Sequence, residues 1–246
     1  MLDSFKRWAA GAPEGPAWSG VAAWARERKG LFKRARDNEG FVVDGMLDER
    51  RAWRLEWGPP QRSYIEGHEL RLRIELGLPP ELQMLLMSRP LMETLERQTF
   101  ERYTEQMQTQ IDVSTPEEMR WLAMLPKVPI ASKELRTRFG ALAMVPRFGA
   151  AWLEGALAQR LADAVPGVLN AEPPLVLMTL RGRVYLRTQL AEPDPASLTA
   201  MTDLFETAAA QAVRVAGGAG EGGEGWPSTA STAWQTQLQP EPPTET

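Results

Sequence analysis

Alternation of apolar and polar positions is the clearest structural signal in this chain. Residues 53–57 and residues 70–76 carry an apolar side chain at every second position, and residues 41–43 precede them with an apolar run. A period of two is typical of strands with one face on a core and the other in water. These segments therefore predict an antiparallel meander. Residues 82–88 are apolar on both faces, which predicts a central or covered strand.

Helical spacing of apolar residues is found around these strands. An apolar stripe predicts helices over residues 2–10 and residues 18–36, and Pro90 suits the first turn of a helix that runs to about Met107. Thr115-Pro116 reads as the N-cap and first position of a further helix. The meander is thus expected to have flanking helices.

The second half of the chain repeats this plan on a smaller scale. A short apolar strand comes first, a helix follows, then a hairpin about Gly182, and a last helix begins at Asp194-Pro195. In order, these elements are expected over residues 139–145, 148–161, 175–180, 184–190 and 194–213. From Gly217 onward the chain is Gly, Glu, Pro, Ser, Thr and Gln with little to bury, which predicts a disordered tail.

Together these patterns predict an α+β fold. It comprises an antiparallel meander sheet with flanking helices, a smaller strand–helix–hairpin–helix half, and a disordered C-terminal tail. The expected divisions are N-terminal helices over 1–36, the sheet with helices over 37–126, the second half over 127–216, and the tail over 217–246. The patterns do not indicate whether the two halves pack as one domain.

The order of elements also carries a resemblance. The stretch from Gly40 to Leu95 has its meander end in Leu78-Pro79-Pro80-Glu81-Leu82, and Arg138-Phe139, a helix, the Gly182 hairpin and a terminal helix follow. This order resembles that of uncharacterised bacterial α+β proteins whose role is unassigned. The resemblance covers about residues 40–213; it implies a fold and carries no functional residues.

Composition narrows the chemistry. The chain has no cysteine and one histidine, His68, so most nucleophilic triads, transition-metal sites and neutral-pH proton shuttles have no side chains to build on. No cofactor or metal is expected. A net charge of −4 argues against a nucleic-acid binder, and no apolar run approaches a membrane span. Without a signal-peptide pattern, a cytoplasmic location is expected, and the preference for Arg over Lys suggests a bacterial source.

Two groups of residues are candidates for binding. Arg54, Arg71 and Arg73 share the outward face of the predicted sheet and form a candidate anion- or partner-binding surface, although interleaved glutamates allow a simple ion-pairing interpretation. Trp226 and Trp234 lie in the predicted tail, where no core is available. They are candidate docking anchors for a partner.

Three functions remain open at this point. The leading hypothesis is a soluble, non-enzymatic bacterial protein that acts through protein interactions with an unknown partner. The first alternative is peripheral membrane association through residues 2–10, where Leu2, Phe5 and Trp8 accompany Lys6 and Arg7. The second is a hydrolase-like enzyme using carboxylate chemistry, with a tyrosine as a further participant. Oligomeric state is left open.

Overall fold

The computed structural model describes residues 18–35, 39–105 and 117–221. In these residues, eight strands form one antiparallel sheet with seven helices around it. The predicted α+β fold with an antiparallel sheet and flanking helices is confirmed. The expected helix over residues 2–10 lies outside the described residues.

Strands and helices are numbered here in chain order. The strands are β1 (Leu31–Arg34), β2 (Phe41–Leu47), β3 (Arg51–Gly58), β4 (Glu69–Glu75), β5 (Met84–Ser88), β6 (Phe139–Ala143), β7 (Leu175–Leu180) and β8 (Arg183–Gln189). The helices are α1 (Ser19–Glu27), α2 (Arg89–Glu105), α3 (Glu117–Met124), α4 (Lys133–Arg138), α5 (Pro146–Trp152), α6 (Ala156–Ala164) and α7 (Pro195–Glu221).

The sheet joins both halves of the chain. Its order is β1-β2-β3-β4-β8-β7-β5-β6, so the late hairpin β7–β8 lies between β4 and β5 of the first half. Strands from both sides of residue 126 therefore pair within one sheet. This arrangement also explains the apolar character of β5, whose five residues are all buried between β6 and β7 and under helices on both faces.

One sheet face packs completely against helices. Leu72 of β4 is directly opposite Leu55 of β3 and Leu186 of β8, and all three are buried in the main core. The long helix α7 crosses this face with Leu198, Met201, Leu204 and Phe205, and α1, α5 and α6 add to the same core. The predicted inward register of Leu70, Leu72 and Ile74 is confirmed, with Leu76 half-buried against the same cluster.

The opposite face is covered only in part. The described helices α2 and α3 pack on β5, β6 and β7 through a second core that includes Leu91, Leu95 and Trp121. Over β2, β3, β4 and β8, the described helices leave a polar face that we call the open face. Its outward side chains include Asp44, Met46, Ala52, Arg54, Glu56, Glu69, Arg71, Arg73, Glu75, Arg183, Tyr185 and Arg187.

Three predicted boundaries differ from the structure. The helix expected over residues 18–36 is wrong beyond Glu27, because Lys29 takes a left-handed backbone (φ 56°) and the chain re-emerges as β1. At Gly30, an added Cβ would approach Val43 Cγ1 to 3.0 Å, so the turn lies close against β2. The helix expected over residues 148–161 is divided into two by Gly155 (φ 58°). The last helix continues to Glu221, past the expected start of the tail.

Candidate functional site

Cross-strand registration arranges the charges of the open face in rows. Arg73 of β4 is directly opposite Arg54 of β3 on one side and Tyr185 of β8 on the other. Arg71 is likewise opposite Glu56 and Arg187. Antiparallel partners on one face have Cβ atoms about 5 Å apart, so each row brings its side chains together.

Ion pairs run along and between these rows. Arg54 Nε donates to Glu56 Oε1 at 2.7 Å, and Arg71 Nη2 lies 3.2 Å from Glu56 Oε2. Burial alone would raise the pKa of Glu56. The hydrogen bond from Arg54 and the positive charges of Arg71, Arg54 and Arg73 outweigh it, so the pKa is held below its usual value. Glu56 is therefore ionised at neutral pH.

A buried carboxylate lies at one end of the face. Glu69 has no exposed surface, and its Oε1 accepts from Arg187 Nη1 at 2.6 Å while its Oε2 lies 3.2 Å from Arg71 Nη1. The backbone N–H of Gln61 also donates to Oε2 at 2.6 Å. Both arginines are themselves largely buried. The three side chains form a charge cluster with its hydrogen bonds directed inward.

A second buried carboxylate belongs to α3. Glu118 Oε1 accepts from Tyr64 Oη at 2.6 Å and from Arg62 Nε at 2.7 Å. Burial, followed by the charge of Glu118, raises the pKa of Tyr64 far above its ordinary value, so this phenol stays protonated and donates. Oε2 of Glu118 is buried with no hydrogen-bond partner among the described residues. The trio attaches α3 to the loop between β3 and β4.

Two cavities open on the polar face. The smaller, about 110 Å³, is lined by Arg54, Glu56, Gln61, Arg71, Leu72, Arg73, Tyr185, Leu186 and Arg187. The larger, about 400 Å³, is lined by Asp44, Ala52, Trp53, Arg54, Arg73, Ile74, Glu75 and Arg183. Arg54 and Arg73 line both, so they form the partition between them.

The structure brings the three predicted surface arginines together. Arg54, Arg71 and Arg73 are cross-strand or same-strand neighbours, and the ion-pairing interpretation accounts for Arg54 and Arg71. Arg73 forms no hydrogen bond or ion pair with any residue that the structure describes. The other candidates, Trp226 and Trp234, lie outside the described residues.

The sequence analysis did not identify other residues of the site. Arg187 and Tyr185 belong to a distant hairpin, and only the insertion of β8 beside β4 places them next to Arg71 and Arg73. Glu118 looks like an ordinary capping residue in the sequence, yet it is buried. The signal that could have indicated a site is the polar phase of residues 183–187, which matches that of β4.

His68 lies apart from these charges. Its ring stacks on that of Trp57, with centroids 4.2 Å apart and an angle of 8° between the planes. In the described part of the chain, no group of three or more His, Cys, Asp and Glu side chains is placed to hold a metal ion. None of the helices in that part is long and apolar enough to cross a membrane.

Comparison with known proteins identifies no family. No protein-family model matches the chain, and no curated protein matches it at a significant level. One solved structure is similar to this chain, and it is described as the mycobacterial trehalose monomycolate transport factor A, TtfA. The alignment covers 82% of this chain and 97% of the TtfA chain, with a TM-score of 0.44 and 8% sequence identity.

Proposed function

We propose that this chain is a non-catalytic binding protein whose open face takes a partner protein. The observation that carries the proposal is the contrast between the two sheet faces. One is packed under α1, α5, α6 and α7, whereas no described helix packs over β2, β3 and β4 on the other, where Met46, Ala52, Arg73 and Glu75 are exposed. Arginine is enriched where proteins meet, and this face carries five arginines on neighbouring strands.

An apolar margin beside the charges supports the same proposal. Leu31 of β1 and Met46 of β2 are 56% and 49% exposed, and both belong to the polar face rather than the core face. Protein interfaces commonly combine an apolar area with a polar, hydrogen-bonding surround. The two side chains offer such an area next to the larger cavity.

Two buried side chains of the site, Glu69 and Tyr64, favour binding over catalysis. Glu69 is engaged by two arginines, and Tyr64 stays protonated at neutral pH. A general base needs a pKa near the working pH and a free lone pair within reach of substrate. The enzyme alternative therefore has no support from these groups. The membrane alternative rests on residues 2–10, outside the described residues, and stays a prediction.

Site-specific photo-crosslinking tests the proposal. A photoreactive amino acid is placed at Met46 or Ala52 on the open face, and at Ala162, an exposed alanine of α6, as the matched control. Crosslinking is carried out in cells of the organism that encodes this chain, and the adducts are identified by mass spectrometry. We expect both open-face positions to capture the same protein and Ala162 not to capture it.

Reconstitution then decides the matter. The captured protein is purified and its affinity for the chain is measured with and without Leu31→Asp and Met46→Asp, two changes at exposed positions. Binding that weakens at least tenfold with folding intact supports the proposal. Equal capture from Ala162, or binding that ignores both substitutions, contradicts it.

A further inference from the structure

Two pairs of arginines face each other across strands of the open face. Arg71 of β4 is directly opposite Arg187 of β8, and Arg54 of β3 is directly opposite Arg73 of β4. Like charges at directly opposed positions destabilise a sheet. Each pair therefore needs a negative charge close to both of its members.

The first pair has such a counter-charge. Glu69 places one carboxylate oxygen on each arginine, 2.6 Å from Arg187 Nη1 and 3.2 Å from Arg71 Nη1. Its complete burial shows that the position is a formed site within the protein. A carboxylate bridging two opposed arginines is thus a device that this fold already uses.

Among the described residues, no carboxylate forms an ion pair with both members of the second pair. Arg54 lies 2.7 Å from Glu56 and 3.6 Å from Asp44, and Asp44 is shared with Lys33. Within the described residues, Arg73 has no ion pair or hydrogen bond, although it lies directly opposite Arg54. Arg73 is therefore the member of this pair that forms no ion pair among the described residues, although Glu56 is close enough for the charge of Arg73 to lower its pKa.

The smaller cavity lies beside Arg73, which forms no ion pair among the described residues. Arg54, Arg71, Arg73 and Arg187 all line it, and Glu56 is the one carboxylate among its described lining residues. The Nε atom of Arg187 is buried with no hydrogen-bond acceptor among the described residues. At about 110 Å³ the cavity has room for roughly three waters or one small oxyanionic group.

We infer that this cavity binds the carboxylate of an acidic side chain presented by the partner protein. The carboxylate does for Arg54 and Arg73 what Glu69 does for Arg71 and Arg187. Guanidinium groups offer planar, forked donors that fit carboxylate oxygens, and such charge-assisted hydrogen bonds are short and strong. This inference rests on the proposed function, since it names the chemistry that the open face recognises.

Calorimetry with a defined peptide tests the inference. The full chain is titrated at about 50 mM salt with a hexaglutamate peptide, and with a hexaglutamine peptide of the same length. We expect binding of hexaglutamate alone. Arg73→Gln should weaken it about tenfold, the effect of losing one charge-assisted hydrogen bond. Arg160→Gln, at an exposed position of α6, should leave the affinity unchanged.

Each further outcome has a defined meaning. Absence of hexaglutamate binding both in wild type and in the chain with Glu224, Glu241 and Glu245 changed to Gln overturns the carboxylate site, and so do equal affinities in wild type and Arg73→Gln. Arg73-dependent binding of inorganic phosphate without binding of hexaglutamate overturns the carboxylate assignment. If hexaglutamate binds only after Glu224, Glu241 and Glu245 are changed to Gln in the full chain, the chain's own C-terminal segment supplies the carboxylate, and the partner assignment is overturned.

This test can fail independently of the proposed function. Photo-crosslinks from Met46 and Ala52 that persist when hexaglutamate does not bind would leave the open face as an interface without a carboxylate site. If Met46 and Ala52 captured no protein while hexaglutamate still bound in an Arg73-dependent way, the proposed function would be contradicted and the carboxylate site would stand.

Discussion

Glu69 and Arg187 form an ion pair of 2.6 Å between β4 and β8, with the Glu69 side chain wholly buried. The same carboxylate also bridges to Arg71, which is directly opposite Arg187. Two opposed positive charges at the centre of the sheet are thus held together by one negative charge. The hairpin of the second half is joined to the first half at this point.

Glu69→Gln should strongly destabilise the protein. The change leaves two largely buried arginines without their counter-charge, and breaking a buried pair in this way costs about 3–5 kcal/mol. Urea unfolding at pH 7 measures the loss. Glu75→Gln is the matched control because Glu75, which pairs with Arg183, is 58% exposed and should cost less than about 1 kcal/mol. If Glu69→Gln lowered the free energy of unfolding by no more than Glu75→Gln does, the Glu69 cluster would not be integral to the fold.

Ile74→Asp should destabilise the protein strongly, whereas Arg73→Gln should leave its stability nearly unchanged. Ile74 is 2% exposed in the main core, so an aspartate there is buried without a partner and should cost several kcal/mol. Arg73 is exposed on the open face, and its change should leave unfolding within about 0.5 kcal/mol of wild type. Chemical unfolding of the two variants checks this. Reversed effects would mean that the register of β4 is shifted by one residue.

Asp194→Ala should weaken α7 in a pH-dependent way. Asp194 Oδ1 accepts from the backbone N–H groups of Ala196 and Ser197 at 2.9 and 3.0 Å, so its loss should cost about 1 kcal/mol at pH 7. The hydrogen bond from the Ser197 side chain, the first cause, lowers the pKa of Asp194 below its usual value of 3.8. A lowered pKa gives stability that is present above pH 3.8 and lost as pH falls through the folded value. Urea unfolding between pH 7 and pH 3 should show the difference between Asp194→Ala and wild type shrinking below about pH 4. A constant difference would argue against a charged cap.

His68→Gln should affect stability slightly and binding not at all. The change removes the ring stacked on Trp57, and such contacts contribute about 0.5–1.5 kcal/mol. His68→Phe keeps a ring in place and should recover most of that loss. Crosslinking to the partner from Ala52 should be the same in His68→Gln and wild type at every pH from 5 to 8, the range in which histidine titrates. A loss of crosslinking in His68→Gln, with folding intact, would show that His68 takes part in binding the partner.

Removal of residues 222–246 should leave the thermal midpoint within a degree or two. This expectation comes from a composition with little to bury. Ending the chain at Glu221 keeps α7 at its described length. Differential scanning calorimetry of the two chains makes the comparison. A large drop that Trp226→Ala or Trp234→Ala reproduces in the full chain would mean that these side chains dock on the body.

Much of the fold could be predicted from the local pattern of apolar and polar residues, because strand faces and helix starts depend on residues that are close together in the chain. The period of two in residues 70–76 determines which β4 side chains face the core, and the Asp194-Pro195 pair determines where α7 begins. The same reasoning was wrong over residues 28–35. There helical spacing continued, but a left-handed Lys29 and the close packing of Gly30 on β2 ended the helix.

The sequence by itself determined the two faces of β3 and β4, the cap of α7 and the absence of cysteine chemistry. Each of these depends on residues within a few positions of one another. Only the tertiary structure decided that β8 pairs with β4, and this pairing places Arg187 on Glu69 and Tyr185 beside Arg73. Many strands could satisfy the same period of two, and the choice of neighbour is made by the packing of the whole sheet against α7. The candidate site includes residues from both strands, so Glu69 and Arg187 are 118 positions apart in the chain and 2.6 Å apart in the fold.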